Sequence, residues 1–178
     1  MFLGVEGMGA GVTTTRELTQ THSGVDLHAA IDELEQVMLG SGELLDMPLV
    51  HRFTPGMYIR EIFNPAGALI TTKIHKVEHP FVLLRGNIST FVPEDGGKVE
   101  HLRAPHVGIT KAGTRRVILV HEDAVFITFH PNPTNTRDLA ELEDMLIERR
   151  TMPGSDLTAN QLYKELLGGA AGELVVTS

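Results

Sequence analysis

Cysteine and tryptophan are absent from this 178-residue chain, and aromatic residues make up only 5% of it. Without cysteine the chain forms no disulfides and has no thiolate metal ligand or thiol nucleophile. A packed core must therefore consist mainly of aliphatic side chains, which the 42% hydrophobic content can supply. The length suits one domain with appendages better than two full domains.

Long apolar runs and an excess of positive charge are lacking as well. The formal net charge is −8, which argues against sequence-independent binding to nucleic acid or to an anionic membrane. No apolar stretch approaches the roughly 18 residues needed to cross a bilayer. The first residues also lack the basic start and long apolar stretch of a secretory signal. These absences predict a cytoplasmic protein.

The periodicity of the apolar residues divides the chain into four segments. Residues 1–22, rich in Gly and Thr, are predicted to be a flexible N-terminal arm, and residues 23–46 an N-terminal helix with a capping box at Ser23 and Asp26. Residues 47–132 alternate with a period of two between turn signals, which predicts an all-β antiparallel sandwich or barrel. Residues 133–178 are predicted to form two C-terminal helices and a tail.

The sequence of the last predicted strands indicates a hairpin turn and an oligomer. Glu122 and Asp123 are predicted to form a two-residue hairpin loop, which would place Arg116 on one face of the sheet and leave His130 on the outer face. Both faces of this hairpin are largely apolar, so helices or a second copy of the chain should cover the outer one. The sequence therefore predicts a homo-oligomer, most simply a dimer.

The stretch TTKIHKVEHPFVLLRG, residues 71–86, carries a resemblance to a known family. With Gly67 before it, this stretch is similar to the first motif of the cupin superfamily of RmlC-like jelly rolls, G-x5-H-x-H-x3,4-E-x6-G. Lys73 and His75 fall at the two histidine positions, and His79 falls at the glutamate position. The resemblance implies a cupin-like jelly-roll barrel flanked by one N-terminal and two C-terminal helices.

The second cupin motif, P-x-G-x-x-H, resembles KAGTRR, in which Arg116 falls at the histidine position. The sequence of the whole region also resembles small cupin-like proteins of tailed phages, which have no settled activity. If that resemblance holds, the protein acts in the host cytoplasm or in a virion.

Strand alternation predicts a ligand pocket. Thr71, Lys73 and His75 should share one face, and His79 and Phe81 should follow on the next strand. The result would be a polar mouth over an apolar floor, as in many small-molecule sites. The predicted ligand-binding residues are Thr71, Lys73, His75, His79, Phe81 and Arg116.

Charge decides between the possible occupants of this pocket. A dication 4 Å from one cation is repelled by about 8 kcal/mol at an effective dielectric near 20, whereas structural zinc sites gain only about 10–16 kcal/mol. Lys73 and Arg116 therefore favour a small anionic ligand, phosphate- or carboxylate-bearing, with no metal and no cofactor. If the chain is an enzyme, His75 or His79 is the predicted general base or acid, with a pKa lowered by these two cations.

Three alternatives stay open at this point. The barrel could be the scaffold of a phage structural or assembly protein that binds a phage or host protein. The chain could be a metal-dependent cupin enzyme, with His51 or Glu61 as further ligands. Finally, the polar residues could simply face water at the open end of a sheet.

Overall fold

The computed structural model describes residues 3–5, 27–41, 45–92 and 98–149. This part of the chain is mostly antiparallel β-sheet with two helices, which confirms the predicted all-β class. The strands are β1 (Leu3–Val5), β2 (Leu49–Thr54), β3 (Gly56–Asn64), β4 (Leu69–Thr71), β5 (His79–Val92), β6 (Lys98–Arg103), β7 (His106–Thr110) and β8 (Val117–Asn132). The helices are α1 (Leu27–Ser41) and α2 (Leu139–Leu146). Neither helix is long and apolar enough to span a membrane.

The two long strands, β5 and β8, organise the sheet because each takes part in two layers. In the first layer the order is β2–β3–β8–β5–β7, formed by the second half of β8 and the first half of β5. In the second layer the order is β1–β4–β8–β5–β6, formed by the other halves. Apolar side chains from both layers meet in one core cluster that includes Ile62, Ile70, Leu83 and Ile118.

The sheet does not close into a barrel within the described strands. The four outer strands, β1, β2, β6 and β7, each pair with a single neighbour. The predicted closed barrel is therefore a folded, two-layered sheet with edges in this part of the chain.

The passage between layers depends on a close contact between β5 and β8. Gly86 has a φ of +94°, and a Cβ placed on it would lie 2.6 Å from the Cα of Ala124. The β5–β8 register shifts between Leu83 and Ile88 around this glycine. Only a residue without a side chain allows both this backbone conformation and this approach.

The predicted hairpin at Glu122 and Asp123 is wrong, because β8 runs through both residues without reversing. Residues 121–123 are exposed where the strand passes from one layer to the other. A short polar stretch between two β-rich runs is typical of a hairpin loop, but here it marks a bend. As a consequence His130, predicted on the outer face, is buried inside the sandwich with Thr128 and Phe126.

The helices hold the two ends of the sandwich. In α1, Ile31 and Met38 are buried, and Arg115, in the connection between β7 and β8, binds Asp32 at 2.6 Å and Glu35 at 2.7 Å. Burial of this ion pair orients α1, since a charge left without its partner there would cost several kcal/mol. Asp138 caps α2 by accepting a hydrogen bond from the Ala140 N–H.

Parts of the predicted domain organisation lie outside the described residues. The capping box at Ser23 and Asp26 and the second C-terminal helix belong to this group. Within the predicted arm, residues 3–5 form β1 and pair with β4, so this part of the arm belongs to the sheet.

Replacing Gly86 by alanine should destabilise the fold by about 2–5 kcal/mol, from the left-handed backbone and the clash with Ala124 together. Chemical denaturation measures the effect. Gly67→Ala is the matched control, because Gly67 has a φ of +85° and nothing within 4 Å of its Cβ position. Gly67→Ala should lower the free energy of unfolding by only about 1–2 kcal/mol, the cost of the left-handed backbone alone. Equal losses in the two variants would contradict the close-contact argument.

The expected homo-oligomer remains a proposal, and the edge strand β7 is where we place its contact. Val107 and Ile109 on β7 are 71% and 56% exposed, and β7 carries no Lys, Arg, Asp or Glu. Edge strands are usually protected by charges, as β6 is by Lys98 and Glu100. An uncharged strand can pair with its own copy in antiparallel fashion without repulsion.

Val107→Lys should therefore lower the mass measured by light scattering from that of a dimer to that of a monomer. Val99→Lys, on the charged edge strand β6, is the control and should leave the mass unchanged. A wild-type chain that is monomeric at high concentration would rule out this contact.

Candidate functional site

The pairing of four strands brings the polar side chains of the first layer together. Tyr58 lies opposite His130 in the β3–β8 register, and His79 lies opposite Thr110 in the β5–β7 register. Two residues further along β8, Thr128 is paired with Arg60 on one side and Phe81 on the other. Alternate residues of a strand point to the same face, so two polar rows face the interior, and Ile62, Phe126 and Leu83 form an apolar row beside them.

Three buried histidines meet at this place. His75, His79 and His130 each offer a ring nitrogen, and the three nitrogens lie within 4.8 Å of one another. The ring centroids are 4.4 Å apart for His75 and His79 and 4.3 Å apart for His79 and His130. The rings of His75 and His130 stack at 5.4 Å. Positively charged rings at these distances would repel one another, so the rings must be mostly neutral.

The pKa values agree with this requirement. Burial lowers the pKa of His130 to about 2, and the positive charge of Arg60 acts in the same direction. Burial also lowers the pKa of His75 and of His79, with Arg60 again contributing to both. All three imidazoles are therefore neutral at pH 7. The sequence predicted that Lys73 and Arg116 lower the pKa of a histidine. Arg116 does lower the pKa of His79, whereas Lys73 does not contribute to the pKa shift of any of the three histidines.

Hydrogen bonds indicate which nitrogen of each ring carries the proton. His79 Nδ1 lies 3.1 Å from the Val77 carbonyl, so Nδ1 donates and Nε2 keeps its lone pair. The Thr128 hydroxyl donates to the Arg60 carbonyl, so its oxygen accepts from His130 Nε2 at 2.9 Å and leaves His130 Nδ1 with a lone pair. His75 Nε2 is buried and has no hydrogen-bond partner. Of the three rings, His75 is thus the one with a buried nitrogen that lacks a hydrogen-bond partner.

Two arginines line a cavity beside this cluster, together with His75 and His79. Arg116 donates to the Thr110 hydroxyl at 2.7 Å, and its guanidinium lies over the Phe81 ring at 5.1 Å. Arg60 lies among buried groups that lower its pKa by desolvation. No Asp or Glu is found among the described residues that line the cavity, which are Arg60, Ile62, Asn64, Ile70, Thr72, His75, His79, Thr110, Arg116, Ile118, Phe126 and Thr128. Among the residues that the structure describes, the wall therefore carries two guanidinium groups and no carboxylate.

The cavity is small. The space open to the centre of a water-sized sphere is about 20 Å³, which corresponds to about one water molecule. It therefore suits an ion or a single oxyanion group, and not a whole nucleotide or sugar nucleotide.

Three of the six residues predicted for the site, His75, His79 and Arg116, line the cavity together. Phe81 lies beneath Arg116 rather than in the lining. Thr72 takes the place predicted for Thr71, because β4 ends at Thr71 and the alternation of faces breaks before His75. Thr71 is buried, with no hydrogen-bond partner for its hydroxyl.

Lys73, the remaining predicted residue, is directed to helix α2 instead. Its ammonium group forms an ion pair with Glu143, and burial lowers its pKa while Glu143 opposes that shift. Leu142, Leu146 and Ile147 pack with Tyr58, and His75 pairs with Ile147 in an isolated β-bridge. Helix α2 and the residues after it thus cover the histidine end of the cavity.

Two site residues were missed by sequence reasoning. His130 was placed outside by the hairpin error. Arg60 lies in MYIREIF, where apolar residues occupy both parities, so alternation alone does not show that Tyr58, Arg60 and Ile62 face inward. The available signal was the even spacing of Phe126, Thr128 and His130 after Ile118 and Val120. If this segment is read as one continuous strand, the spacing predicts that all five residues share one face.

His51 and Glu61, considered as further ligands, lie elsewhere. His51 Nδ1 and the Tyr58 hydroxyl form a hydrogen bond of 2.6 Å, and Glu61 pairs with Arg52 at 2.7 Å.

Comparison with known proteins shows similarity in structure only. No family model and no curated protein matches the sequence. A cupin-2 domain protein from Shewanella frigidimarina is 7% identical, with a TM-score of 0.39 over 61% of this chain and 95% of that one. An RmlC-like cupin from Methanocaldococcus jannaschii is 11% identical, with a TM-score of 0.41 over 50% of this chain and 84% of that one. A putative ethanolamine utilization protein Q from Salmonella typhimurium is 14% identical, with a TM-score of 0.41 over 54% and 84%.

These neighbours concern the fold alone, and at such scores they carry no argument about the site. Three neutral imidazoles with converging nitrogens, one of them without a partner, fit a divalent transition metal as donors. Bound there, such a metal would supply a Lewis acid. The two guanidinium groups oppose it.

Acid should destabilise the protein through the histidine cluster. The folded-state pKa of His130 is about 2, below the unfolded value of 6.5, so protons bind the unfolded chain preferentially and stability falls as the pH drops below about 6.5. For one such histidine the loss between pH 7 and pH 5 is about 2 kcal/mol.

Urea denaturation at the two pH values measures this loss. His130→Gln should reduce it by about 2 kcal/mol, whereas His101→Gln, at an exposed position, should leave it unchanged. The same pH dependence in all three proteins would show that His130 is already protonated in the folded state.

Proposed function

We propose that this chain is a cupin-like protein that holds a small anionic ligand, bearing a phosphate or carboxylate group, between its two sheet layers. The observation that supports the proposal most directly is the pair of arginines, Arg60 and Arg116, in a cavity wall whose described residues include no Asp or Glu. A guanidinium group presents a planar set of donors that matches an oxyanion. Burial strengthens this attraction, because the surrounding dielectric is low.

Arg116 is oriented before any ligand enters. Its hydrogen bond to Thr110 and its position over Phe81 fix the plane of the guanidinium. A side chain that is already ordered loses less conformational freedom on binding. The hydroxyls of Thr72, Thr110 and Thr128 line the same cavity and supply neutral hydrogen-bonding groups.

The protonation of the histidines favours binding over turnover. A general base works best with a pKa near the working pH, and burial holds His130 at about 2 and lowers His75 strongly. Proton transfer by His75 is therefore inefficient. His79, whose pKa burial also lowers, is the remaining candidate for the predicted acid–base role.

A divalent transition metal is the second candidate occupant. The mutual distance of 4.8 Å or less among the nitrogens of His75, His79 and His130 favours it. The third alternative, a sheet that serves only as a scaffold for phage assembly, predicts that neither anion nor metal binds.

Calorimetric titration of metal-free protein with inorganic phosphate, oxalate and succinate tests the anion proposal. Wild-type protein should bind at least one of them, and Arg116→Gln should weaken that binding at least tenfold through loss of the guanidinium fork. Arg103→Gln, which removes the same charge from an exposed position on β6, is the matched control and should bind as wild type does.

Two results would reject the proposal. One is the absence of any heat of binding and of any rise in melting temperature with these anions. The other is equal weakening by Arg116→Gln and Arg103→Gln, which would reduce the effect to the overall charge of the protein.

A further inference from the structure

We propose that His101 and His121 form a surface site that chelates a divalent late transition metal, with Cu²⁺, Ni²⁺ and Zn²⁺ as the ions it takes. The site lies on the outer face of the second layer and is separate from the anion site proposed above. Two observations lead to it: both rings contact one serine hydroxyl, and both are exposed to solvent.

The pairing of three strands brings the two rings together. His101 of β6 lies opposite Ser89 of β5, and Leu119 of β8 lies opposite Ser89 on the other side. His121 follows two residues after Leu119, and its ring reaches Ser89 diagonally. Two strands that are not neighbours thus direct their histidines to one point above β5.

This point lies outside the sandwich. The neighbours of Ser89 along β5, Ile88 and Thr90, are 1% and 2% exposed, and successive strand residues point to opposite faces. Ser89 therefore points away from the core, and the cavity between the layers is lined by other residues. A metal bound here would occupy a different place from a ligand of that cavity.

The Ser89 hydroxyl holds both rings. Its Oγ lies 2.8 Å from His101 Nδ1 and 2.5 Å from His121 Nε2. Because a hydroxyl has one hydrogen, it donates to one ring and accepts from the other. The hydroxyl therefore engages the lone pair of one ring, while a neutral second ring keeps its own lone pair. A metal that binds both rings has to displace a single hydroxyl hydrogen bond.

The donor type decides which cations suit the pair. The ring centroids are 6.3 Å apart, and rotation of these exposed side chains brings their nitrogens within reach of one ion. Imidazole is a preferred ligand of Cu²⁺, Ni²⁺ and Zn²⁺, whereas Mg²⁺ and Ca²⁺ prefer oxygen ligands. Water completes the coordination on an exposed face.

The surrounding charge allows a cation at this place. The chain has a net charge of −8, which attracts cations in general. Arg103 follows two residues after His101 on β6 and so shares its face. Its side chain is exposed, and there water and salt screen its repulsion of a metal ion.

Calorimetric titration of metal-stripped full-length protein with Ni²⁺ tests the chelate. The wild type should bind one equivalent that His101→Gln and His121→Gln each weaken at least tenfold. The double variant should lose little more than either single variant, because one ring alone cannot chelate. His106→Gln removes a histidine from β7; it is the matched control and should bind as wild type does.

Copper locates the site without any substitution. In nitrogen-15-labelled protein, substoichiometric Cu²⁺ should broaden the amide signals of residues 99–103 and 119–122 first. The signals of His79 and His130 should broaden later. The reverse order would place the metal in the buried histidine cluster and overturn the inference.

Three calorimetric results would also overturn it. The first is the absence of Ni²⁺ binding to wild type. The second is a loss of sites without a change of affinity in each single variant, which would mean two independent imidazoles. The third is equal weakening by His106→Gln. A failure of the anion proposal leaves this inference intact, because the two sites have no residue in common.

Discussion

The pairing of β5 with β8 is the constraint on which the rest of this structure depends. Each strand serves both layers, and the change of layer requires the backbone of Gly86 to lie against that of Ala124. Strand residues on both sides of this contact build the apolar core, and those of the first layer also bring His79 and His130 together. The fold and the site are thus consequences of one register, and a slip by one residue would turn both histidines outward.

The charge states of the side chains determine which ligands the site can bind. Burial keeps the imidazoles neutral, and the guanidinium groups of the same wall reinforce that state. Cavities with three histidines usually suit metals, and cavities with two arginines usually suit oxyanions. Here His75 and His79 line one small cavity together with Arg60 and Arg116, and His130 lies against these two histidines. The proposed function therefore depends on which ligand can bind beside both the imidazoles and the guanidinium groups.

The sequence predicts the class of the fold and part of the site, and the limits have physical causes. The stretch from Thr71 to Gly86 led to His75 and His79, and the separate stretch KAGTRR led to Arg116, since motif positions survive small errors in strand bounds. Lys73 was misplaced because the end of β4 breaks the alternation, and an alternating pattern does not show where it stops. His130 was missed because a bend and a hairpin loop have the same local composition; only the long-range pairing of β8 with β3 and β5 distinguishes them.

The central claim is that the three clustered imidazoles of His75, His79 and His130 are neutral, and that His75 and His79 line the cavity beside the two arginines. Nitrogen-15 NMR of histidine-labelled protein at pH 7 tests it most directly, because the ring-nitrogen shifts separate the two neutral tautomers from the imidazolium ion. The account predicts a proton on Nδ1 of His79 and on Nε2 of His130, with no charged ring in the cluster. An imidazolium signal from His75, His79 or His130 at that pH would contradict it.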